Sequence, residues 1–134
     1  MYTLTASPLL RLALRLDGAI SFAAGLATSL GYASLEGVLG APAGVILAVG
    51  VFMLAYGAAI GWLSTRARID QRLVWIVTVG NLIWAIDSVL LARSDWIAPT
   101  ALGIALILGQ AALVAGFSTL QFLGLRQSRA LVLA

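Results

Sequence analysis

The sequence predicts an all-α protein, a bundle of four transmembrane helices arranged as two consecutive helical hairpins. Two observations carry this prediction. Hydrophobic residues make up 62% of the 134 residues and charged residues only 10%, whereas soluble domains average about 45–50% and about 25% respectively. The charged residues also leave four long gaps, and about 20 apolar residues are enough for a helix to cross the hydrocarbon core of a bilayer.

The four charge-poor stretches predict spans at approximately residues 12–34, 43–64, 72–93 and 99–124 of a single membrane domain, 1–134. Ser7-Pro8 has the pattern of an N-cap followed by a first-turn proline ahead of span 1. Residues 37–42 predict a short turn after span 1, and residues 98–100 (Ala-Pro-Thr) open span 4. The four spans are expected to be helices, because open sheet edges are not tolerated in hydrocarbon.

The positions of the arginines predict the orientation of the bundle. Seven of the eight cluster near the two termini and the connection between spans 2 and 3: Arg11, Arg15, Arg66, Arg68, Arg72, Arg126 and Arg129. Arg93 alone lies near the other end. Because positively charged loops stay in the cytoplasm, both termini are expected there. So strong a bias also predicts one orientation, so that any homo-oligomer should be parallel.

The residue types that are missing restrict the chemistry. The chain contains no His, Cys or Lys, so the usual ligands of zinc, copper and iron–sulfur clusters are missing, as is the amine of a Schiff base. We therefore expect no metal, no cofactor and no enzymatic activity. The net charge of +3 does not indicate nucleic-acid binding, because the arginines lie at the ends of hydrophobic stretches. The expected partner is the lipid bilayer.

Small residues recur at helical spacing in three spans. Spans 1 and 2 carry Ser21, Gly25 and Ser29, and Gly57 and Gly61, while span 4 carries Gly109 and Gly116 with Ala105 and Ala112. Small residues let membrane helices approach closely. Two interpretations remain open: packing within one bundle, or a face for a homo-oligomer or a larger membrane complex.

Asn81 and Gln110 are predicted to lie near the bilayer midplane on consecutive helices, because each lies about 13–16 Å from a span end. Both are expected to face the bundle interior, and a hydrogen bond between them is the simplest arrangement. Tyr56 and Trp84 fall at similar depth. The four side chains therefore either pack the core or line a site for a flat lipophilic molecule.

Two aspartates are distinguished by their positions. Asp87 is the one carboxylate clearly inside a predicted span, about 9 Å from Arg93 along the helix. It is interpreted either as a proton carrier or cation site, or as a structural partner of Arg93, a tyrosine hydroxyl or a backbone group. A third interpretation is that span 3 is shorter and Asp87 lies in the membrane interface. Asp17 lies two residues from Arg15 and is predicted at the cytoplasmic mouth of span 1.

Four segments together resemble a group of small bacterial inner-membrane proteins with four transmembrane helices. They are Leu14-Arg15-Leu16-Asp17, residues 80–84 (GNLIW), Pro99-Thr100 with Gly103, and residues 116–126 (GFSTLQFLGLR). The resemblance covers nearly the whole chain and implies the fold and the location, but no activity. The small multidrug-resistance transporters share the size and helix number, yet the Glu in the middle of their first span is expected to have no counterpart here. The Thr-rich filter segment of the fluoride channels is missing.

The expected function is that of a non-enzymatic structural or accessory subunit, which packs through its small-residue faces. The alternative is a small transporter, ion pathway or lipophilic-ligand-binding protein that uses Asp87 together with Tyr56, Asn81, Trp84 and Gln110.

Overall fold

The computed structural model describes residues 3–133 and contains four long helices in that range. These are α1 (Pro8–Leu39), α2 (Ala43–Thr65), α3 (Gln71–Ala92) and α4 (Ala101–Leu133). The prediction of an all-helical fold is confirmed. Three helices, α2, α3 and α4, are long and apolar enough to cross a membrane, whereas α1 is not among them. The first helix carries Arg11, Arg15, Asp17 and Glu36.

The bounds of α2 and α3 agree with the predicted spans, but α1 and α4 are longer than predicted. Ser7 caps α1 as predicted, since its side chain accepts a hydrogen bond from the Leu10 amide at 3.2 Å. The helix then continues to Leu39, because Gly40 adopts a left-handed conformation with φ 64° and its amide bonds to the carbonyl of Glu36. Glycine pays no steric penalty in this conformation. The turn before α2 is therefore shorter than the predicted 37–42.

The two ends of the bundle are built differently. At the loop end, the α1–α2 and α3–α4 connections are hydrogen-bonded to each other, through the Ala98 amide and the Gly40 carbonyl at 3.2 Å and the Thr100 amide and the Val38 carbonyl at 3.0 Å. At the opposite end, which we call the termini end, β1 (Thr3–Leu4) pairs antiparallel with β2 (Ile69–Asp70). These four residues lie outside the four predicted spans.

Arg11 joins α1 to the C-terminal end of α2. Its guanidinium donates to the main-chain carbonyls of Ser64 and Arg66 at 2.6 and 3.0 Å. These carbonyls belong to the last turn of α2, where the helix leaves them without intrahelical partners. A cation at a helix C-terminus also opposes the negative end of the helix dipole.

Helix α1 packs against both α2 and α4, and α3 packs against α4. Helices α2 and α3 are further apart, and large side chains bridge them: Tyr56 bonds to Asn81, and the ring of Phe52 stacks on that of Trp84. The buried hydrophobic cluster lies at the termini end. Its members are Leu4, Ala6, Leu10, Leu14, Ile60, Leu63, Ile69, Val74, Val77 and Leu125.

Glycines bring α1 and α2 into close contact. A Cβ on Gly57 would lie 2.7 Å from the Gly18 carbonyl oxygen, and a Cβ on Gly25 would lie 2.6 Å from the Leu54 amide nitrogen. Of the predicted small-residue positions, Gly25, Ser29, Gly57 and Gly61 all contribute to this interface. Those on α4 do not pack in this way, because a Cβ on Gly109 or Gly116 would meet open space. The interpretation as packing within the bundle therefore fits spans 1 and 2, but not span 4.

We expect Gly57→Ala to destabilise the fold by about 1–3 kcal/mol, because the new methyl group would overlap the backbone of α1. Gly116→Ala is the matched control. It adds the same methyl group on an open surface, so helix propensity should leave stability unchanged or raise it by up to about 1 kcal/mol. Unfolding of the two variants in detergent, followed by circular dichroism, measures the difference. Equal stabilities would contradict the close approach of α1 and α2.

Candidate functional site

Asp17 lies in the centre of the bundle and is completely buried, with 0% of its surface exposed. Its Oδ1 accepts a hydrogen bond from the Ser21 hydroxyl at 3.1 Å. Its Oδ2 accepts from Asn81 Nδ2 and Gln121 Nε2, each at 2.7 Å, and lies 2.9 Å from the Tyr56 hydroxyl, which donates to it. We call these five residues the Asp17 cluster.

Each of the four helices contributes to the Asp17 cluster. Asp17 and Ser21 are one turn apart on α1, Tyr56 lies on α2, Asn81 on α3 and Gln121 on α4. The two amides also bind each other, since Asn81 Nδ2 donates to Gln121 Oε1 at 3.2 Å. Asn81 lies ten residues into α3, about 15 Å along a helix about 33 Å long. The cluster is therefore level with the middle of α3.

The surroundings of Asp17 are polar but uncharged. Within residues 3–133, every group that hydrogen-bonds its carboxylate is a neutral hydroxyl or amide donor. Arg15, two residues away, is exposed. A buried carboxylate is costly unless it is hydrogen-bonded, and here four donors supply those hydrogen bonds. The dipoles of these neutral donors stabilise the buried carboxylate in place of a cationic partner.

The predicted position of Asp17 at the mouth of span 1 was wrong. The spacing along α1 contained a signal that would have corrected it. Asp17 shares a helix face with Leu10, Leu14, Ser21 and Gly25, at offsets of −7, −3, +4 and +8 residues, and this face is apolar or small. The prediction relied on the proximity of Arg15 in the sequence. Residues two apart on a helix point in different directions, so Arg15 does not indicate where Asp17 faces.

Asn81 is 6% exposed and faces the interior, as the sequence predicts, but it does not bond to Gln110. Its amide partner is Gln121, eleven residues further along α4 and fully buried. The predicted depth was measured from Pro99 for a helix that ends near residue 124. Since α4 extends to Leu133, its middle lies closer to Gln121 than that estimate implied.

Gln110 belongs to a second polar cluster nearer the loop end. Its Oε1 accepts from Trp84 Nε1 at 2.9 Å, and its Nε2 donates to Ser88 Oγ at 2.7 Å and to the Ile107 carbonyl at 3.0 Å. The predicted set is thus divided between two clusters: Tyr56 and Asn81 surround Asp17, whereas Trp84 and Gln110 join α3 to α4. The ring of Phe52 stacks on the rings of Tyr56 and Trp84 and so connects the two clusters.

Asp87 lies outside both clusters. It is exposed on the surface of α3, and among residues 3–133 no hydrogen bond or ion pair joins it to Arg93. Neither the proposed bond to Arg93 nor a convergence with Asn81 is present. The described residues also contain no group of three or more carboxylates that could hold a metal ion together.

Comparisons with known proteins found no relative of this chain. No protein-family model matches it, and neither does any curated protein or solved structure. The resemblance to small bacterial inner-membrane proteins therefore stays a prediction, and the function is inferred from the side chains alone.

Asn81→Leu should cost at least about 3 kcal/mol of stability, because it removes a donor from a buried carboxylate and leaves Gln121 without its amide partner. Gln110→Leu removes a half-buried amide from a cluster without a charge, and should cost only about 0.6–2 kcal/mol. Thermal unfolding of both variants in the same detergent tests the difference. A smaller loss of stability for Asn81→Leu than for Gln110→Leu would contradict the hydrogen bond between Asn81 and the Asp17 carboxylate.

Proposed function

We propose that the chain spans the bacterial inner membrane four times, with both termini in the cytoplasm. The three apolar helices support this, and so does the position of the charges on α1. Arg11 lies at the termini end, Glu36 lies near the loop end, and Asp17 faces its polar partners inside the bundle. Arg15 is exposed about 3 Å along the helix axis from Asp17, and a side chain of this length can extend towards the termini end. The excess of arginines at the termini end supports the orientation.

Single cysteines can test this topology, because the chain contains no native cysteine. Ser34, Arg68 and Gln127 are exposed and suit the purpose. We expect a membrane-impermeant thiol reagent to label Ser34→Cys in intact cells, and to label Arg68→Cys and Gln127→Cys only after the membrane is opened. Labelling of Gln127→Cys in intact cells would indicate an odd number of spans and contradict the proposal.

We further propose that the protein is a small transporter or ion pathway, and that Asp17 is the group that binds the ion. The observation that carries this proposal is a fully buried carboxylate, held by neutral donors only, enclosed by four helices and level with the middle of α3. Ionisable residues inside membrane segments are expensive and commonly mark ion or proton pathways. An architectural contact alone does not require a carboxylate, because neutral side chains can join helices without the cost of burying a charge.

An accessory subunit is the second candidate, and two observations favour it. The Asp17 cluster connects all four helices, which is what a purely structural network would do. In addition, Ala105, Gly109, Ala112 and Gly116 are exposed on α4, where small residues allow another helix to approach closely. The sequence predicts the parallel homo-oligomer through Gly57 and Gly61 or through Ser21, Gly25 and Ser29. For that oligomer, or for a larger complex, this α4 face is a different surface.

Paired substitutions of the two aspartates separate the candidates. The full chain is reconstituted into liposomes, proton, sodium and potassium gradients are imposed in turn, and ion flux is recorded. We expect a flux with the wild-type protein that falls to the level of protein-free liposomes in Asp17→Asn. Asp87→Asn is the matched control: it makes the same change on the exposed surface of α3 and should retain the flux.

Circular dichroism of each reconstituted variant shows whether the fold is intact. A flux that survives Asp17→Asn, or the lack of flux under all three gradients, would contradict the transport proposal. In the second case the accessory role would remain, and a membrane partner should then co-purify at fixed stoichiometry.

A further inference from the structure

We infer that the ion held by Asp17 is a proton, and that the hydroxyl of Tyr56 is the switch that lets the cluster accommodate it. This inference rests on the proposed role of Asp17 as an ion-binding group. It identifies the ion, and it assigns a positioning role to Tyr56, which the sequence associates with core packing or with a pathway built around Asp87.

The hydroxyl group of Tyr56 has two possible hydrogen-bond acceptors. Tyr56 Oη lies 2.9 Å from Asp17 Oδ2 and also 2.9 Å from Asn81 Oδ1. A tyrosine hydroxyl carries one hydrogen, so it can donate to only one of these oxygens at a time. Both positions are within hydrogen-bonding distance, and rotation about the C–O bond moves the hydrogen between them.

With Asp17 ionised, the hydroxyl of Tyr56 donates to Asp17 Oδ2. That oxygen then accepts three hydrogen bonds, from Tyr56, Asn81 Nδ2 and Gln121 Nε2, while Oδ1 accepts one from Ser21. All the donors point towards the negative charge. In this state Asn81 Oδ1 receives nothing from Tyr56.

When a proton arrives from water, a new O–H bond forms at Asp17 Oδ2 and the carboxylate becomes neutral. The new O–H donates to Tyr56 Oη, which has a free lone pair, and the hydrogen of Tyr56 turns to Asn81 Oδ1. Once protonated, Oδ2 is a weaker acceptor, so its contacts with the two amides weaken, while the contact of Oδ1 with Ser21 remains. Release of the proton to water reverses these changes.

The same contacts disfavour a metal cation. A sodium or potassium ion needs several oxygen lone pairs directed at it, but apart from Asn81 Oδ1 the groups around the carboxylate present N–H and O–H hydrogens. The carbonyl oxygen of Gln121 is already used by Asn81 Nδ2. Binding of a metal cation would require several donors to turn away, whereas a proton requires one hydroxyl rotation.

Infrared difference spectroscopy on the full chain in liposomes tests this inference directly. When the pH is lowered, we expect one carboxylic-acid C=O band to appear that is missing in Asp17→Asn. In Tyr56→Phe the band should still appear but at higher wavenumber, because the acid O–H has lost its acceptor. Tyr32→Phe is the matched control. It removes the hydroxyl of a half-buried tyrosine on α1 that lies outside the cluster, so the band should stay in place.

Isotope-labelled tyrosine supplies a second measurement that needs no substitution at Tyr56. A label-sensitive tyrosine band should change together with the carboxylic-acid band in the wild type, and should be absent from the spectrum of Asp17→Asn. If the C=O band is the same in Tyr56→Phe as in the wild type, or if no tyrosine band changes, Tyr56 is not the switch.

If no Asp17-dependent acid band appears at any pH, the ion is not a proton. In that case a sodium or potassium flux that depends on Asp17 would still support the proposed transport role. If neither the acid band nor an Asp17-dependent flux is observed, the proposed transport role is contradicted as well. The failure of this inference can thus be distinguished from the failure of the proposed function.

Discussion

The central constraint on this structure is the burial of one carboxylate without a cationic partner. Asp17 is satisfied only when hydroxyl and amide groups from α1, α2, α3 and α4 meet at the same depth. This requirement fixes how far each helix is displaced along the bundle axis relative to the others. A slip of one helix by a single turn, about 5.4 Å, would remove its donor from the carboxylate.

Close packing of α1 on α2 makes this arrangement possible. Gly18 follows Asp17 directly and has no room for a side chain, since a Cβ there would lie 2.6 Å from the Gly61 amide nitrogen. The backbones of the two helices are therefore near enough for the Tyr56 hydroxyl to reach the carboxylate. On the other side, a Cβ on Gly124 would lie 2.6 Å from Leu10, so α4 also approaches α1 closely. The glycines thus contribute to the site by setting helix distances, although they carry no functional group.

The sequence predicted the parts of this fold that depend on composition and local signals. Four helices, the Ser7 cap and the bounds of α2 and α3 follow from apolar runs and from capping chemistry. The lengths of α1 and α4 could not be predicted from charge gaps, because both helices continue through polar residues beyond the apolar stretch. Asn81 and Tyr56, which the sequence predicts at similar depth, meet in the Asp17 cluster. Gln121 was missed because its register against Asn81 depends on how two helices pack, which no local pattern contains.

The interior of the bundle is divided at the level of the Asp17 cluster. Every member of the buried hydrophobic cluster lies on the termini side of it: Leu10 and Leu14 precede Asp17 on α1, Val74 and Val77 precede Asn81 on α3, and Leu125 follows Gln121 on α4. Towards the loop end the interior contains Ser29, whose buried hydroxyl has no partner among the described residues, and the polar cluster of Trp84, Ser88 and Gln110. Apolar burial is the main source of stability, and regions with few buried apolar contacts open most easily. The termini side therefore holds the largest cluster of buried apolar side chains, whereas the loop side combines buried apolar residues such as Ile46, Ala85 and Ile97 with polar contacts between α3 and α4.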